Sequence, residues 1–266
     1  MRQVKRILHM HKIFIVLELK RMMEYKGNFV IGIIGFLLGQ FFNMLFLWVI
    51  FRQIPNLIGW TLEQVVFIYG FSLIPKGLDH LLFDNLWSIG HFTVRNGDFD
   101  KYLTRPISTL FHVMIEKLQI DALGELIMGI SLICISIPSV NIEWNILKIF
   151  LVILVVPFVT LIYTGIKIAT AAIAFWIKRS GNITYMFYMV NDFAKYPVTI
   201  YNNTVRNIVT YIIPFAFTAF YPANYILTSD SPIFNIGLAI LISVIIMCIG
   251  VFMWNKGIKA YESAGA

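Results

Sequence analysis

The stretch that decides the fold is residues 28–51, NFVIGIIGFLLGQFFNMLFLWVIF, in which no side chain is charged. About 20 helical residues are enough to cross the hydrocarbon core of a bilayer, so this run predicts a membrane-spanning helix. Small residues recur in and beside it, and such residues let neighbouring helices approach closely. The positions concerned are Gly27, Gly32, Gly35 and Gly39.

The composition of the whole chain extends this prediction. Of its 266 residues, 59% are hydrophobic and only 13% are charged, whereas soluble domains carry about 25% charged residues. We therefore predict an all-α, polytopic integral membrane protein. The net charge of +7 does not indicate a nucleic-acid partner, because the basic residues lie beside apolar runs, where membrane orientation explains them. Cys134 and Cys248 fall inside apolar segments and show no disulfide or metal spacing.

Apolar segments separated by polar loops predict six membrane-spanning helices. Basic residues concentrate at residues 1–27, in two loops between spans and after the last span, which places both termini in the cytoplasm. Within residues 1–27 an apolar stripe at helical spacing predicts an interfacial helix, with a generic basic anchor as the equal alternative. The predicted spans are about 28–51, 62–83, 112–138, 146–177, 182–197 and 233–254.

Charged residues within the predicted spans need a special position, because each costs roughly 3 kcal/mol near the bilayer centre. For the second span, which contains Lys76 and Asp79, we favour a position at the cytoplasmic end over a polar interior. The charged start of the third span is either a solvated helix base, which we favour, or the wall of a cytoplasmic vestibule. Three residues are candidates for a substrate pathway: Asp121, Glu125 and Lys167.

Residues 205–228 precede the last span and differ in composition from the other apolar runs. Residues 208–228 are long enough to cross, but prolines interrupt them and tyrosines typical of membrane interfaces flank the breaks. A seventh span would also place Lys256 and Lys259 outside. We therefore predict a pair of short helices that enter from the outer face and return, built around Pro214, Phe215, Tyr221 and Pro222.

Residues 95–106, RNGDFDKYLTRP, form a charged island between the second and third spans. Apolar residues at helical spacing within it predict a short exposed helix with an apolar contact face made by Phe99, Tyr102 and Leu103. A docking helix on one side of a membrane protein indicates coupling to a soluble partner. The candidate coupling residues are Gly97, Asp98, Phe99, Asp100, Lys101, Tyr102, Leu103, Arg105 and Pro106.

Together with KYP at 195–197, IPFAF at 213–217 and YPA at 221–223, this island resembles the ABC-2-type ABC transporter permeases. The resemblance spans nearly the whole chain and departs from the family pattern at Phe99, where leucine is expected. It implies six spans, an N-terminal interfacial helix, a re-entrant pair before the last span, and a coupling helix at about 97–105 that docks on an ATPase. It also implies a multi-pass protein of the cell membrane that exports its substrate.

The chain lacks a G-x-x-x-x-G-K-[ST] loop, so we expect no enzyme activity and no bound cofactor in this chain, with ATP and Mg²⁺ held by separate ATPase subunits. A second copy of this chain or a related permease is the other expected protein partner, within a lipid bilayer. The composition suits a hydrophobic or amphipathic substrate such as a lipid, peptide or drug. The alternatives are a secondary transporter driven by an ion gradient, for which no internal repeat is visible, and a membrane-embedded enzyme or scaffold.

Overall fold

The computed structural model describes residues 26–263, together with residues 16 and 20. The predicted interfacial helix over residues 1–27 lies, except for a few positions, outside the described residues. Within the described part the regular elements are helices. They are α1 (Lys26–Gln53), α2 (Leu62–Phe83), α3 (Leu86–Ser88), α4 (Asp100–Leu103), α5 (Thr109–Ile115), α6 (Leu123–Ser136), α7 (Ile146–Ala172), α8 (Ala174–Ile177), α9 (Gly181–Val190), α10 (Asn203–Asn207), α11 (Phe220–Thr228) and α12 (Leu238–Ala260).

Shorter 3₁₀ and π segments extend or connect these helices. The 3₁₀ segments are Ile120–Ala122, Ile137–Ser139, Asn191–Lys195, Val198–Ile200 and Phe215–Thr218, and the π segments are Ile89–Thr93, Ile208–Ile212 and Ile233–Gly237. Five helical stretches of the described chain are long and apolar enough to cross a membrane. They are Val30–Gln53, Leu62–Phe83, Ile120–Ser139, Ile146–Ile177 and Ile233–Ala260. The prediction of an all-helical membrane protein is therefore confirmed.

Two predicted spans differ in the structure. The span predicted at 112–138 is broken, because α5 ends at Ile115 and the membrane-length stretch begins only at Ile120. Gln119 at the break has a non-helical backbone, and its N–H donates to the Leu81 carbonyl at 3.2 Å. The span predicted at 182–197 is not one membrane-length α-helix, because α9 ends after 10 residues and continues as a 3₁₀ segment.

Local sequence explains where the long helices begin. Thr61 and Gln64 form a capping box at the start of α2, in which each side chain accepts a hydrogen bond from the backbone N–H of the other residue. Asn145 caps α7 by accepting from the backbone N–H of Lys148 at 2.6 Å. These caps satisfy N–H groups that have no partner within the helix. They therefore fix the ends of two membrane-length helices.

Helices α7 and α12 pack closely through a pair of glycines. A Cβ atom on Gly165 would lie 2.9 Å from the carbonyl oxygen of Ile246, and one on Gly250 would lie 2.6 Å from the carbonyl oxygen of Gly165. Small residues allow helix backbones to approach this closely. In α1 no atom of the described chain would meet a Cβ at Gly32, Gly35 or Gly39 within 4 Å, so close helix approach at these glycines stays a prediction.

The connections gather at two opposite ends of the helices. We call the first the near end, defined by residues 84–119, 178–180 and 261–263, where the Ser180 N–H donates to the Gly90 carbonyl at 2.9 Å. The second is the far end, defined by residues 54–61, 140–145 and 196–232. There the Trp60 indole N–H donates to the Thr199 hydroxyl at 2.8 Å. The chain between Ser180 and Thr199 therefore runs from one end to the other.

The segment predicted to re-enter the membrane consists of two helical pieces at the far end. The first is α10 with its π extension to Ile212, the second is α11, and residues 213–219 join them. The Lys148 ammonium donates to the Ile226 carbonyl at 3.0 Å and to the Ser229 hydroxyl at 2.7 Å. It thereby satisfies the C-terminal end of α11. Entry of this pair into the bilayer stays a prediction.

Candidate functional site

The near end contains the charged island, and its backbone differs from the predicted helix. Gly97 adopts a positive φ of 79°, a conformation that glycine tolerates at no steric cost. The N–H of Gly97 donates to the Val94 carbonyl at 3.3 Å, and the Asp100 N–H donates to the Gly97 carbonyl at 3.3 Å. Helix α4 then has only 4 residues. The island is therefore a series of turns closed by one helical turn.

Phe99 does not face outwards, which corrects the prediction that it contacts a partner. The side chain is fully buried, and its ring centroid lies 4.7 Å from that of Phe175, 5.1 Å from Tyr261 and 6.0 Å from Trp254. The edge-on geometry of these pairs is one that aromatic rings prefer. We call these four residues the aromatic cluster. It joins the charged island to α8, α12 and the C-terminal segment.

Tyr102 is also buried inside the protein, so its predicted contact with a partner is wrong as well. Its hydroxyl donates to Glu116, whose other carboxylate oxygen lies 2.9 Å from the Lys101 ammonium. Burial would raise the pKa of Glu116, but the hydrogen bonds from Tyr102 and Lys101 and the Lys101 charge outweigh it and lower that pKa. Glu116 thus stays ionised and fixes the island to the chain after α5.

The Asp100 carboxylate accepts hydrogen bonds from the C-terminal segment. The Tyr261 hydroxyl donates to one carboxylate oxygen of Asp100 at 2.9 Å, and the Ser263 hydroxyl donates to the other at 2.6 Å. Next to them, the Lys178 ammonium donates to the Glu262 carbonyl at 2.9 Å. The three separate connections of the near end are therefore linked to one another. Sequence patterns could not predict this link, because its members are about 80 to 160 residues apart.

Arg105, near the end of the island, contacts a buried histidine. Its guanidinium lies 3.0 Å from His112 Nε2. Because a guanidinium can only donate, this ring nitrogen accepts and the imidazole is neutral. Burial lowers the pKa of His112, an effect that the Glu116 charge opposes and the Arg105 charge reinforces. His112 therefore acts as a neutral acceptor that holds Arg105.

The outward surface of the near end is the part that remains free for contact. Leu103 is 45% exposed and Phe92 is 54% exposed, and charged side chains surround them. We call this surface the near-end face, defined by Phe92, Asp98, Lys101, Leu103 and Arg105. A cavity of about 550 Å³ opens in it beside Lys101 and Glu116. The face therefore combines exposed apolar and charged side chains, of which Phe92, Asp98 and Lys101 line the cavity.

A second polar assembly lies inside the helices, which corrects the predicted position of Asp79. The Asp79 and Lys167 side chains are both fully buried and lie 2.8 Å apart, and the Lys167 ammonium also contacts Asp84 at 3.1 Å. The hydroxyls of Thr164 and Tyr188 each donate to Asp79 at 2.8 Å. Asp79 thus occupies a polar interior, where these partners offset the loss of hydration.

The three predicted pathway residues do not lie together. Asp121 and Glu125 line one cavity of about 130 Å³, and Glu125 also contacts Lys76 and His80 at 3.3 Å. Lys167 is instead enclosed by its carboxylate partners. The structure therefore brings two of the candidates to one cavity and separates the third from it.

Comparison with known proteins places this architecture in a family. The family described as "ABC-2 family transporter protein" matches residues 37–265. No curated protein and no solved structure matches the chain. The family match covers the long apolar helices, the charged island and the C-terminal segment, and it favours a permease over an ion-gradient-driven carrier. The chain therefore belongs to the ABC-2 family of transporter proteins.

Proposed function

We propose that this chain is the permease subunit of an ABC exporter in the cell membrane. It works with separate ATPase subunits, which hold ATP and Mg²⁺, and with a second copy of itself or a related permease. The substrate that we propose is hydrophobic or amphipathic. Family membership supports the role of membrane component. The contacts within the near end support its assignment as the site where the ATPase acts.

The proposed topology has six crossings and both termini in the cytoplasm. Five stretches of the described residues are long enough to cross, and the sixth crossing is the segment between Ser180 and Thr199, whose ends contact opposite ends of the protein. The near end is the cytoplasmic one, since basic residues mark the cytoplasmic side. The near-end residues that support this are Arg95, Lys101, Arg105, Lys117, Lys178 and Arg179.

The aromatic cluster is the observation on which the proposal rests. It packs Phe99 of the charged island against Phe175 at the end of the fourth long helix and against Trp254 of the last one. Close-packed side chains pass on a displacement rather than absorbing it. A movement of the near-end face would therefore move the cytoplasmic ends of two membrane-crossing helices. The chain needs such a connection if ATP hydrolysis occurs on another polypeptide.

The near-end face supplies the proposed contacts with the ATPase. Leu103 and Phe92 are its exposed apolar residues, and Asp98, Lys101 and Arg105 form a polar rim. A few central anchors that become buried at an interface can each account for about 2 kcal/mol or more of binding, whereas rim charges account for little. We therefore assign the main contact to Leu103 and Phe92. This replaces Phe99 and Tyr102, which are inside the protein.

Copurification with the ATPase tests the proposal. The permease is expressed with the ABC ATPase encoded nearest to it, and the ATPase retained per permease is measured for Leu103→Asp. Ile146→Asp is the matched control, because Ile146 is an 88% exposed aliphatic residue at the first position of α7, next to the far end. We expect Leu103→Asp to lower the ATPase affinity about thirtyfold. An unchanged affinity for Leu103→Asp would contradict the assigned contact.

A further inference from the structure

A cavity of about 230 Å³ is enclosed by α7, α9 and α12, and residues 212–214 of the predicted re-entrant segment complete its wall. It shares no lining residue with the cavity of the near-end face or with the cavity at Glu125. The described residues that line it are uncharged and almost all apolar. They include Ala169, Thr170, Ile213, Ile246, Ile249 and Met253.

The cavity lies at membrane depth, in the half of the protein next to the near end. Ile246 stands halfway along the stretch Ile233–Ala260, and Met253 lies about two turns further towards the near end. In α7 the lining residues fall within 165–173, beyond the middle of the stretch Ile146–Ile177. This part of the protein therefore lies within the hydrocarbon of the leaflet next to the near end.

The wall of this cavity is unsuited to water. Thr170 is the one described lining residue with a side-chain oxygen or nitrogen, and its hydroxyl already donates to the Ile166 carbonyl at 2.8 Å. The Ile213 N–H donates to the Ile208 carbonyl at 2.8 Å, and the Ile213 carbonyl accepts from the Phe215 N–H at 2.6 Å. A buried water needs about two to four polar partners. The cavity therefore suits hydrocarbon and not water or a charged group.

The edge of the cavity is apolar and open to the surrounding bilayer. Ile212 is 71% exposed and Ile249 is 46% exposed, and both line the cavity. An apolar cavity of about 150 Å³ is large enough to bind benzene, and the present one is larger, so it admits part of a hydrocarbon chain. A helix of a second chain does not fit, because its diameter with side chains is about 10–12 Å. An empty apolar cavity destabilises a protein in proportion to its volume, so a chain that fills it is favoured.

We propose that this cavity binds one acyl chain of a bilayer phospholipid from the leaflet next to the near end. The chain enters beside Ile249 and lies against Ala169 and Ile246, between the α7–α12 pair and residues 212–214. Because the described wall carries no charge, the site selects hydrocarbon and not a head group. This favours an abundant membrane lipid over a transported molecule that is recognised by its polar part. The site is independent of the proposed ATPase contact.

Photolabelling from the lipid tests the site. The purified full chain is placed in nanodiscs that contain a phosphatidylcholine with a diazirine in the middle of one acyl chain, and adducts are located by mass spectrometry after irradiation. Phe42 of α1, which is 62% exposed, is the reference for ordinary lipid contact. We expect adducts at the half-buried Ala169 and Ile213, and the same pattern when phosphatidylglycerol carries the photoactive chain. Absence of adducts at these two residues, or a dependence on the head group, would overturn the proposal.

Variants that fill the cavity connect the adducts to it. Ile249→Trp should remove most of the adducts at Ile213 and leave those at Phe42 unchanged, because the larger side chain occupies the space of the acyl chain. Ile245→Trp is the matched control, since Ile245 is 48% exposed on the same helix but is not among the described residues that line the cavity. Ala169→Phe fills the cavity from α7 and should cause the same loss. Adducts at Ile213 that persist in every filled variant that folds, or that Ile245→Trp removes as well, would overturn the proposal.

Discussion

Replacement of Phe99 by alanine should destabilise the near end of the protein strongly. The ring is fully buried and meets Phe175, Tyr261 and Trp254 at centroid distances of 4.7, 5.1 and 6.0 Å. Truncation of a buried phenylalanine costs about 3–5 kcal/mol through lost burial and the cavity left behind. We expect a loss of this size for Phe99→Ala. Phe99→Leu, which restores the residue expected from the family pattern, should recover much of it.

Phe92→Ala is the matched control for this prediction. Phe92 belongs to the same near-end connection but is 54% exposed, so its truncation should change the free energy of unfolding by less than about 0.5 kcal/mol. Stability is measured on purified protein in one detergent by denaturant titration with tryptophan fluorescence, and ATPase affinity is measured in parallel. Phe99→Ala should lose stability, whereas Phe92→Ala should lose ATPase affinity. Equal stability of the two variants would refute the internal position of Phe99.

Three further predictions concern other contacts of the described chain. Tyr261→Phe removes the hydrogen bond to Asp100 and should cost about 1 kcal/mol of stability, with a much smaller effect in an Asp100→Asn background. Lys148→Met leaves the end of α11 without its donor and should cost about 1–3 kcal/mol, whereas Lys256→Met, at an exposed lysine, should cost little. Because burial lowers the pKa of His112 from its ordinary 6.5, the unfolded chain binds more protons there, so stability should fall as the pH drops below about 6.5.

Denaturant titrations check all three predictions, and each has a result that contradicts it. Full additivity of the Tyr261 and Asp100 changes would mean that the two side chains do not interact. Equal stability of the Lys148 and Lys256 variants would remove the proposed cap of α11. For the pH dependence, His112→Gln is the comparison, because it cannot be protonated. Glu116 does not account for this pH range, because its lowered pKa makes it titrate at more acidic pH. If the slope of stability against pH between 5 and 7 were unchanged in His112→Gln, the titrating group would not be His112.

The class of the protein could be predicted from the sequence because long apolar runs have few alternatives. A run such as Val30–Gln53 cannot be buried within a chain of this composition, so a membrane is the environment that it requires. The break before Ile120 and the early end of α9 could not be predicted in the same way. They depend on tertiary contacts, such as that of the Gln119 N–H with the Leu81 carbonyl, which apolar periodicity does not record.

The charged island shows the same limit at the level of side chains. Its apolar residues at helical spacing indicated a contact face, and two of them, Phe99 and Tyr102, do pack against other groups. Those groups belong to the same chain: the partners of Phe99 lie 76 to 162 positions later, and Glu116 lies 14 positions after Tyr102. Periodicity reports that a side chain is buried but not which surface buries it. Leu103, the third residue of the predicted face, is the one that remains exposed.

Photocrosslinking at the near-end face tests the central claim most directly. A benzoylphenylalanine placed at position 103 in the expressed full chain is irradiated in intact cells, and the same residue at position 146 serves as the far-end control. The crosslinked product is identified by mass spectrometry. We predict an adduct with a protein that contains a Walker nucleotide-binding loop at position 103 and none at position 146. Absence of that adduct at position 103, or its equal formation at position 146, would contradict ATPase docking on this face.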